Sequence, residues 1–215
     1  MKIIISCAFI DELTYFKENY GIDGRNSESL IQIAQHDVLI LNTGVGKVNS
    51  AMNLQKAIDS FQPDIIINSG CSGALTNEIP LYGIILSDAV FYHDFTPIEI
   101  MQKYVPDNGF IKADTFLIEK ALQVAKVLET ENVIISNIAS GDCYVNNEDL
   151  VARIIQTGAV AVDMESAAIG HVSKTNDIPF LCIRSISDFA DGNDEGEEMA
   201  ALKAAKLTEA LIKTL

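Results

Sequence analysis

Phe180-Leu181-Cys182-Ile183-Arg184-Ser185-Ile186-Ser187-Asp188-Phe189-Ala190-Asp191 begins as a near-continuous apolar run and ends in hydroxyl and ionisable side chains. An unbroken run of this kind, as at Phe180–Ile186, reads as a strand covered on both faces. Pro179 closes the connection just before it, where a fixed φ costs nothing. The same reading applies to Lys2–Cys7, Val38–Asn42, Asp64–Asn68, Gly83–Ala89, Asn132–Ser136 and Ala159–Val162, with a short hairpin strand at Gln32–Ala34. Longer helical patterns fall between them, at Asp11–Asn19, Lys47–Phe61, Asp114–Glu129, Asn147–Gln156, Glu165–Lys174 and Glu197–Thr214. Asp114 and Asn146 stand where helix caps belong. The βαβα rhythm predicts an α/β fold with a mostly parallel sheet and helices on both faces. No repeat or Ser/Gly/Pro-rich linker divides the chain, so residues 1–215 read as one domain.

Ligands of such sheets gather beyond the carboxyl ends of the strands. The residues just after each apolar run are Phe9–Glu12, Thr43–Lys47, Ser69–Gly73, Tyr92–Asp94, Ser140–Tyr144, Asp163–Glu165 and Arg184–Asp191, a rim rich in carboxylates.

With 48% hydrophobic and 21% charged residues, the 215-residue chain has the composition of a core-forming globular protein. Its net charge of −15 argues against nucleic acid or an anionic lipid surface as partner, because both are bound by clustered Lys and Arg. Cys7, Cys71, Cys143 and Cys182 are far apart and lie in apolar or small-residue stretches. They read as reduced thiols of a cytoplasmic protein, with no structural zinc site and no metal or cofactor implied. Asp11 and Glu12 follow the first apolar run at once, without a small-residue cleavage site, so that run reads as a buried strand and not a signal peptide. No apolar run approaches the ~20 residues that span a bilayer.

Several familiar patterns fail. Gly44-Val45-Gly46-Lys47 lacks the earlier glycine of a phosphate loop, has Val48 in place of the magnesium-binding hydroxyl and Asn49 in place of the dinucleotide fingerprint's third glycine. It reads as a tight strand-to-helix turn. Gly70-Cys71-Ser72-Gly73-Ala74 misses a nucleophile elbow by its last residue. Asp191–Leu202 opens like a calcium loop but has Leu202 where the bidentate glutamate belongs, so it reads as a solvated acidic loop. His36 and His93 are isolated, and each reads as a surface or hydrogen-bonded histidine.

Four pieces of the rim remain: Glu12, the small-residue turn Ser69–Ala74, Met164-Glu165, and Arg184–Asp188. Together the phrases AFIDEL, TGVGKVNSA, NSGCSGAL, SGDCYV, VDMESAA and RSISDFAD resemble the purine nucleoside phosphorylase superfamily, and within it the bacterial 5′-methylthioadenosine/S-adenosylhomocysteine nucleosidases. The resemblance implies a three-layer α/β/α domain with a central mixed, twisted sheet. It also implies hydrolysis of an adenine N-glycosidic bond without a cofactor, and a homodimer.

That chemistry passes through a ribosyl cation-like transition state and must solve two problems, a poor anionic leaving group and a weak nucleophile. By resemblance, Asp188 protonates the purine N7, oriented by Ser187 and shielded by Phe189 and Ala190, while Glu12 activates water. Read locally, Asp188 is a helix cap and Glu12 one of two acids opening a helix. Glu165 matches the carboxylate gripping the ribose 2′- and 3′-hydroxyls, and Met164 the thioether against the sugar. Arg184 matches the basic group beside water and ribose, or a salt bridge to Asp188 or Glu165. Tyr144 stands where an aromatic ring stacks on adenine, Val145 where the backbone reads the purine edge, and Val45 near the 5′ substituent. Phosphorylases of the superfamily carry an arginine where this chain has Asn68 and another near the end of the first strand. Here Asp11 and Glu12 would repel a phosphate dianion, which favours hydrolysis over phosphorolysis.

Four departures from the nucleosidases touch the 5′ side or lid of the pocket. Phe9 replaces a methionine, Cys71 replaces a serine near the ribose, Phe95–Ile98 shortens a flap, and the acidic loop Gly192–Glu198 replaces a phenylalanine-bearing segment. They leave open methylthioadenosine, adenosylhomocysteine, 5′-deoxyadenosine or a futalosine-type nucleoside as substrate. A nucleoside-binding protein without turnover is the reading from another class.

Overall fold

A computed structural model describes residues 1–22, 27–191 and 196–215. The strands are β1 (Lys2–Cys7), β2 (Glu28–Ile33), β3 (His36–Asn42), β4 (Ile65–Ala74), β5 (Ile84–Tyr92), β6 (Ile111–Lys112), β7 (Val133–Ser140), β8 (Ala159–Asp163) and β9 (Phe180–Asp188). The α-helices are α1 (Thr14–Tyr20), α2 (Lys47–Phe61), α3 (Ile98–Tyr104), α4 (Thr115–Val127), α5 (Glu148–Ile155), α6 (Ser166–Thr175) and α7 (Glu197–Ile212).

Among the described residues nine strands form one mixed sheet in the order β2-β3-β1-β4-β8-β7-β5-β6, with β9 pairing both β4 and β5. The loop β4-β9-β5-β7-β8 therefore closes on itself. Parallel pairing holds for β1–β3, β1–β4, β4–β9, β5–β7 and β7–β8, as the βαβα rhythm predicts. The pairs β2–β3, β4–β8, β5–β6 and β5–β9 are antiparallel, which apolar runs cannot reveal. Helices α1, α4 and α7 pack together as one layer, and α2 with α6 as another. Ile3, Ile4, Ile5, Ile66, Ile67, Ile84, Ile85, Leu86, Leu181 and Ile183 are fully buried, so the central strands are apolar on both faces. Each such side chain stabilises the fold by roughly 1.5–3 kcal/mol.

The strands overrun their expected ends. Ser69–Ala74 is the last part of β4 and not a turn; β7 and β9 likewise run on through polar residues to Ser140 and Asp188, and β5 runs on through Val90 and Phe91 to Tyr92. Small and polar side chains carry no strand signal, yet here they are what fits where side chains from other strands crowd in. The helix read from Asp11 is a 3-10 turn (Asp11–Leu13) followed by α1. The hairpin strand is longer than read, with Ala34 in the turn at φ 52°. The flap region contains α3, which the sequence pattern does not reveal. Asp114 caps α4, accepting from Leu117 N at 3.0 Å, but α5 is capped by Asn147 and not Asn146. Of the acidic loop Gly192–Glu198 and the calcium-like stretch, 192–195 lie outside the described residues, and Glu197 and Glu198 open α7.

His36 is buried, its Nδ1 3.2 Å from the amino terminus, while Nε2 of His93 is packed against the backbone of Gly141. Among the described residues no helix is long and apolar enough to cross a membrane.

Candidate active site

Glu12 sits in the 3-10 turn after β1 and is 2% exposed. Its Oε2 accepts from Ala8 N at 2.6 Å, and its Oε1 from Cys71 N at 3.0 Å and from Arg184 Nη1 at 3.2 Å. A Cβ on Gly70 would lie 1.9 Å from Glu12 Oε1, so only glycine lets the carboxylate lie across β4. Burial raises the Glu12 pKa, although Arg184 and the two backbone N–H groups pull the other way.

Arg184, in mid-β9, is fully enclosed. Its Nη1 also donates to Cys71 O at 3.2 Å, its Nε lies 3.0 Å from Asp163 Oδ2, and its Nη2 lies 3.5 Å from Glu165 Oε2. Burial works against its charge; Asp163, Glu12 and Glu165 more than restore it and push its pKa up. Arg184 thus pairs with Glu165 as one reading held, but with Glu12 and Asp163 in place of Asp188.

Glu165 immediately precedes α6, and its Oε1 accepts from Gly46 N at 3.0 Å. Burial pushes its pKa up to about 7 against the pull of Arg184, with Asp163 adding to the rise. Asp163, at the end of β8, is the residue that reading the sequence left out of the site. Its Oδ1 accepts from Ser166 N at 3.2 Å and Glu165 N at 3.3 Å and from Ser140 Oγ, while Oδ2 accepts from Ser166 Oγ. It anchors α6 and Arg184 together. Its signal was its place beside Met164 in VDMESAA. Asn68 is a second omission: with its amide oriented so that nitrogen donates to Ser6 O at 3.1 Å, its oxygen accepts from Arg184 Nη2 at 2.9 Å. Asn68 thus helps hold the Arg184 guanidinium.

Asp188 closes β9. Its Oδ2 lies 2.7 Å from Ser187 Oγ, and its Oδ1 accepts from Ala190 N at 2.8 Å. It ends a strand and caps no helix. A Cβ on Gly73 would stand 2.9 Å from Asp188 Oδ1. Ala190 is buried beside this carboxyl, and Phe189 is 43% exposed. Asp188, Gly73, Tyr144, Val145, Met164 and Asp163 line a cavity of about 50 Å³. Val145 is buried and Tyr144 half exposed.

Asp163 belongs to both that cavity and the buried cluster, so the two adjoin. Glu12 and Asp188 approach β4 at glycines three positions apart, roughly 10 Å of strand at ~3.3 Å per residue. Cys71 lies between them, its Sγ 3.8 Å from Glu12 Oε1 and also in reach of Ser187. Burial, with Glu12 adding to it, pushes the Cys71 thiol pKa well up. Phe9 is half-buried, one residue past Ala8, and Val45 lies at the surface. Among the described residues no group of three or more His, Cys, Asp or Glu is placed to hold a metal ion.

An α/β protein with a mixed sheet and three buried carboxylates gathered on one arginine beside a small cavity is the class that fold and site define. The sequence model of the phosphorylase superfamily matches residues 2–215, and the chain belongs to that family. It is similar to the 5′-methylthioadenosine/S-adenosylhomocysteine nucleosidase of Neisseria meningitidis, solved with methylthio-immucillin-A. Identity is 27% over 100% of this chain and 99% of that one, with a TM-score of 0.91. The nucleosidase of S. pneumoniae, solved with a transition-state inhibitor, is 29% identical over 99% of both chains (TM-score 0.88). Futalosine hydrolase of Helicobacter pylori, 23% identical over 100% of this chain and 98% of that one, shares the fold at a TM-score of 0.88.

Proposed function

We propose that this protein hydrolyses the N-glycosidic bond of 5′-substituted adenosines such as methylthioadenosine, adenosylhomocysteine and 5′-deoxyadenosine, releasing adenine and the 5′-substituted ribose. One observation carries the reading: the cavity lined by Asp188 adjoins, through Asp163, the buried cluster in which Arg184 holds Glu12 and Glu165. In the proposed mechanism adenine lies between Tyr144 and Met164, its edge on the backbone of Val145. Asp188 delivers a proton to N7, so that adenine leaves neutral.

Ser187 has a single hydroxyl proton and two acceptors in reach, Asp188 Oδ2 at 2.7 Å and Ser72 O at 3.3 Å. It donates to Ser72 O while Asp188 carries its proton, and turns to Asp188 once that proton is gone. Glu165 receives the ribose hydroxyls and binds best when the ring flattens towards the cation. Glu12, its pKa raised by burial, accepts a proton from the attacking water. Two carboxyls flanking a water in an inverting glycosidase stand ~6.5–9.5 Å apart. An acid that serves N7 acts beyond the scissile nitrogen and not on it, so its place relative to the base is set by the purine and not by that spacing. Cys71 and Phe9 border the sugar and its 5′ side.

Hydrolysis is favoured over phosphorolysis because Arg184, the cation of the described cluster, is already held by three carboxylates. An incoming phosphate would meet a surplus of negative charge. We further read residues 1–215 as one domain of a cytoplasmic homodimer that serves nucleoside catabolism and methionine salvage.

The test is adenine release from a panel of 5′-substituted adenosines, inosine and a futalosine-type nucleoside, with and without phosphate. Release independent of phosphate supports the reading, and strict phosphate dependence refutes it. Nucleoside binding without any release identifies a binding protein instead.

A further inference from the structure

We infer that Asp142 is a positioning residue that couples the adenine-stacking loop to the ribose-binding carboxylate through the first turn of α2. The inference rests on the proposed function, whose two subsites it joins.

Helix α2 starts at Lys47 behind Gly46, which has no side chain to close the first turn, and the turn contains no acidic residue of its own. Asp142, from the loop after β7, supplies what is missing: its Oδ1 accepts from Lys47 N at 2.8 Å. A Cβ on Gly46 would stand 3.1 Å from that oxygen, and Gly46 has φ +91°. Glycine is therefore needed for both the turn and the approach. The preceding N–H, that of Gly46, donates to Glu165 Oε1 at 3.0 Å. Two successive N–H groups at the start of α2 thus hold two carboxylates, one from each subsite, where the helix dipole favours negative charge.

The Lys47 ammonium locks the arrangement. It lies 2.7 and 2.6 Å from the Asp94 oxygens, 3.7 Å from Asp142 Oδ2 and 5.5 Å from the centre of the Tyr92 ring. Asp142 N donates to Asp94 Oδ2 at 2.9 Å. Burial resists ionisation of Asp94, but Lys47 and this N–H outweigh it and hold the carboxyl below its ordinary range. The loops after β3, β5 and β7 are cross-braced, and Tyr144 stands two residues beyond Asp142.

The test compares Asp142→Ala, Asp142→Asn and Lys47→Met for binding of free adenine, binding of an adenosine-like iminoribitol inhibitor, and kcat and KM. Losing a helix cap predicts that Asp142→Ala weakens the inhibitor and lowers kcat/KM by about five- to tenfold, with adenine affinity unchanged within about twofold. Asp142→Asn keeps the acceptor oxygen and recovers most of the loss; Lys47→Met, which keeps the backbone N–H, loses less than Asp142→Ala. In a Glu165→Ala background, which removes the acceptor of the Gly46 N–H, the Asp142→Ala effect on inhibitor binding disappears. Equal weakening of adenine and inhibitor, an undiminished loss in that background, or no loss at all overturns the inference. A wild-type protein that binds neither adenine nor the inhibitor overturns the functional reading itself.

Discussion

Glu12 and Asp188 follow the first and last strands of one sheet and approach the same strand, yet their surroundings differ. Glu12 is 2% exposed and fixed by two backbone N–H groups and a guanidinium, inside a cluster of three carboxylates and one arginine. Asp188 is only half-buried, has no ion pair among the described residues, and its Oδ2 lies 2.7 Å from a serine hydroxyl. Under the proposed mechanism the first environment holds fixed the carboxylate that accepts a proton, and the second leaves looser the carboxyl that hands one over. Geometry makes the same division: a Cβ on Gly70 would overlap Glu12 and Arg184, whereas one on Gly73 would only crowd Asp188.

Removing the cation should break the contrast most severely. Arg184→Met leaves Glu12, Asp163 and Glu165 buried without a counter-charge, and a loss of about 3–5 kcal/mol in denaturant unfolding is expected. A loss below about 1 kcal/mol would show that the cluster is not held by its charge balance. Next come the glycines. Gly70→Ala should cost about 1–3 kcal/mol of stability and nearly all turnover, while Gly73→Ala keeps the fold and loses turnover more modestly. Equal behaviour of the two variants would erase the distinction between the poles.

The pH dependence sharpens it further. Glu165 is raised from 4.5 to about 7, so it binds its proton more tightly folded than unfolded. Its contribution to stability is present below about 4.5 and is lost as pH climbs towards about 7. Under the proposed mechanism ribose binds the ionised form, so kcat/KM should rise with pH through about 7, and Glu165→Gln should remove that limb. The smallest effect is expected at Tyr144→Phe, which keeps the stacking ring and should alter KM by less than about threefold.

The apolar runs made the α/β class legible, because buried central strands write themselves as Ile, Val and Leu. They were silent on direction: nothing in Phe180–Ile186 says that β9 runs parallel to β4 and antiparallel to β5, which is what closes the sheet. Strand ends were misread wherever function crowds the backbone, since Ser69–Ala74 is chosen for small size and not for strand propensity. Motif phrases placed Glu12, Glu165, Arg184 and Asp188 at one rim; the first three meet in one ion-paired cluster, and Asp188 lines the cavity that adjoins it through Asp163. Asp163 and Asn68 escaped because their partners come from distant strands and depend on the fold.

The most direct measurement sets adenine release beside inhibitor affinity in Glu12→Gln and Asp188→Asn. Each variant should lose turnover by about 10²-fold or more while binding the iminoribitol inhibitor within about tenfold of wild type. Near wild-type release from either one would contradict the assignment of base and acid to these two carboxyls.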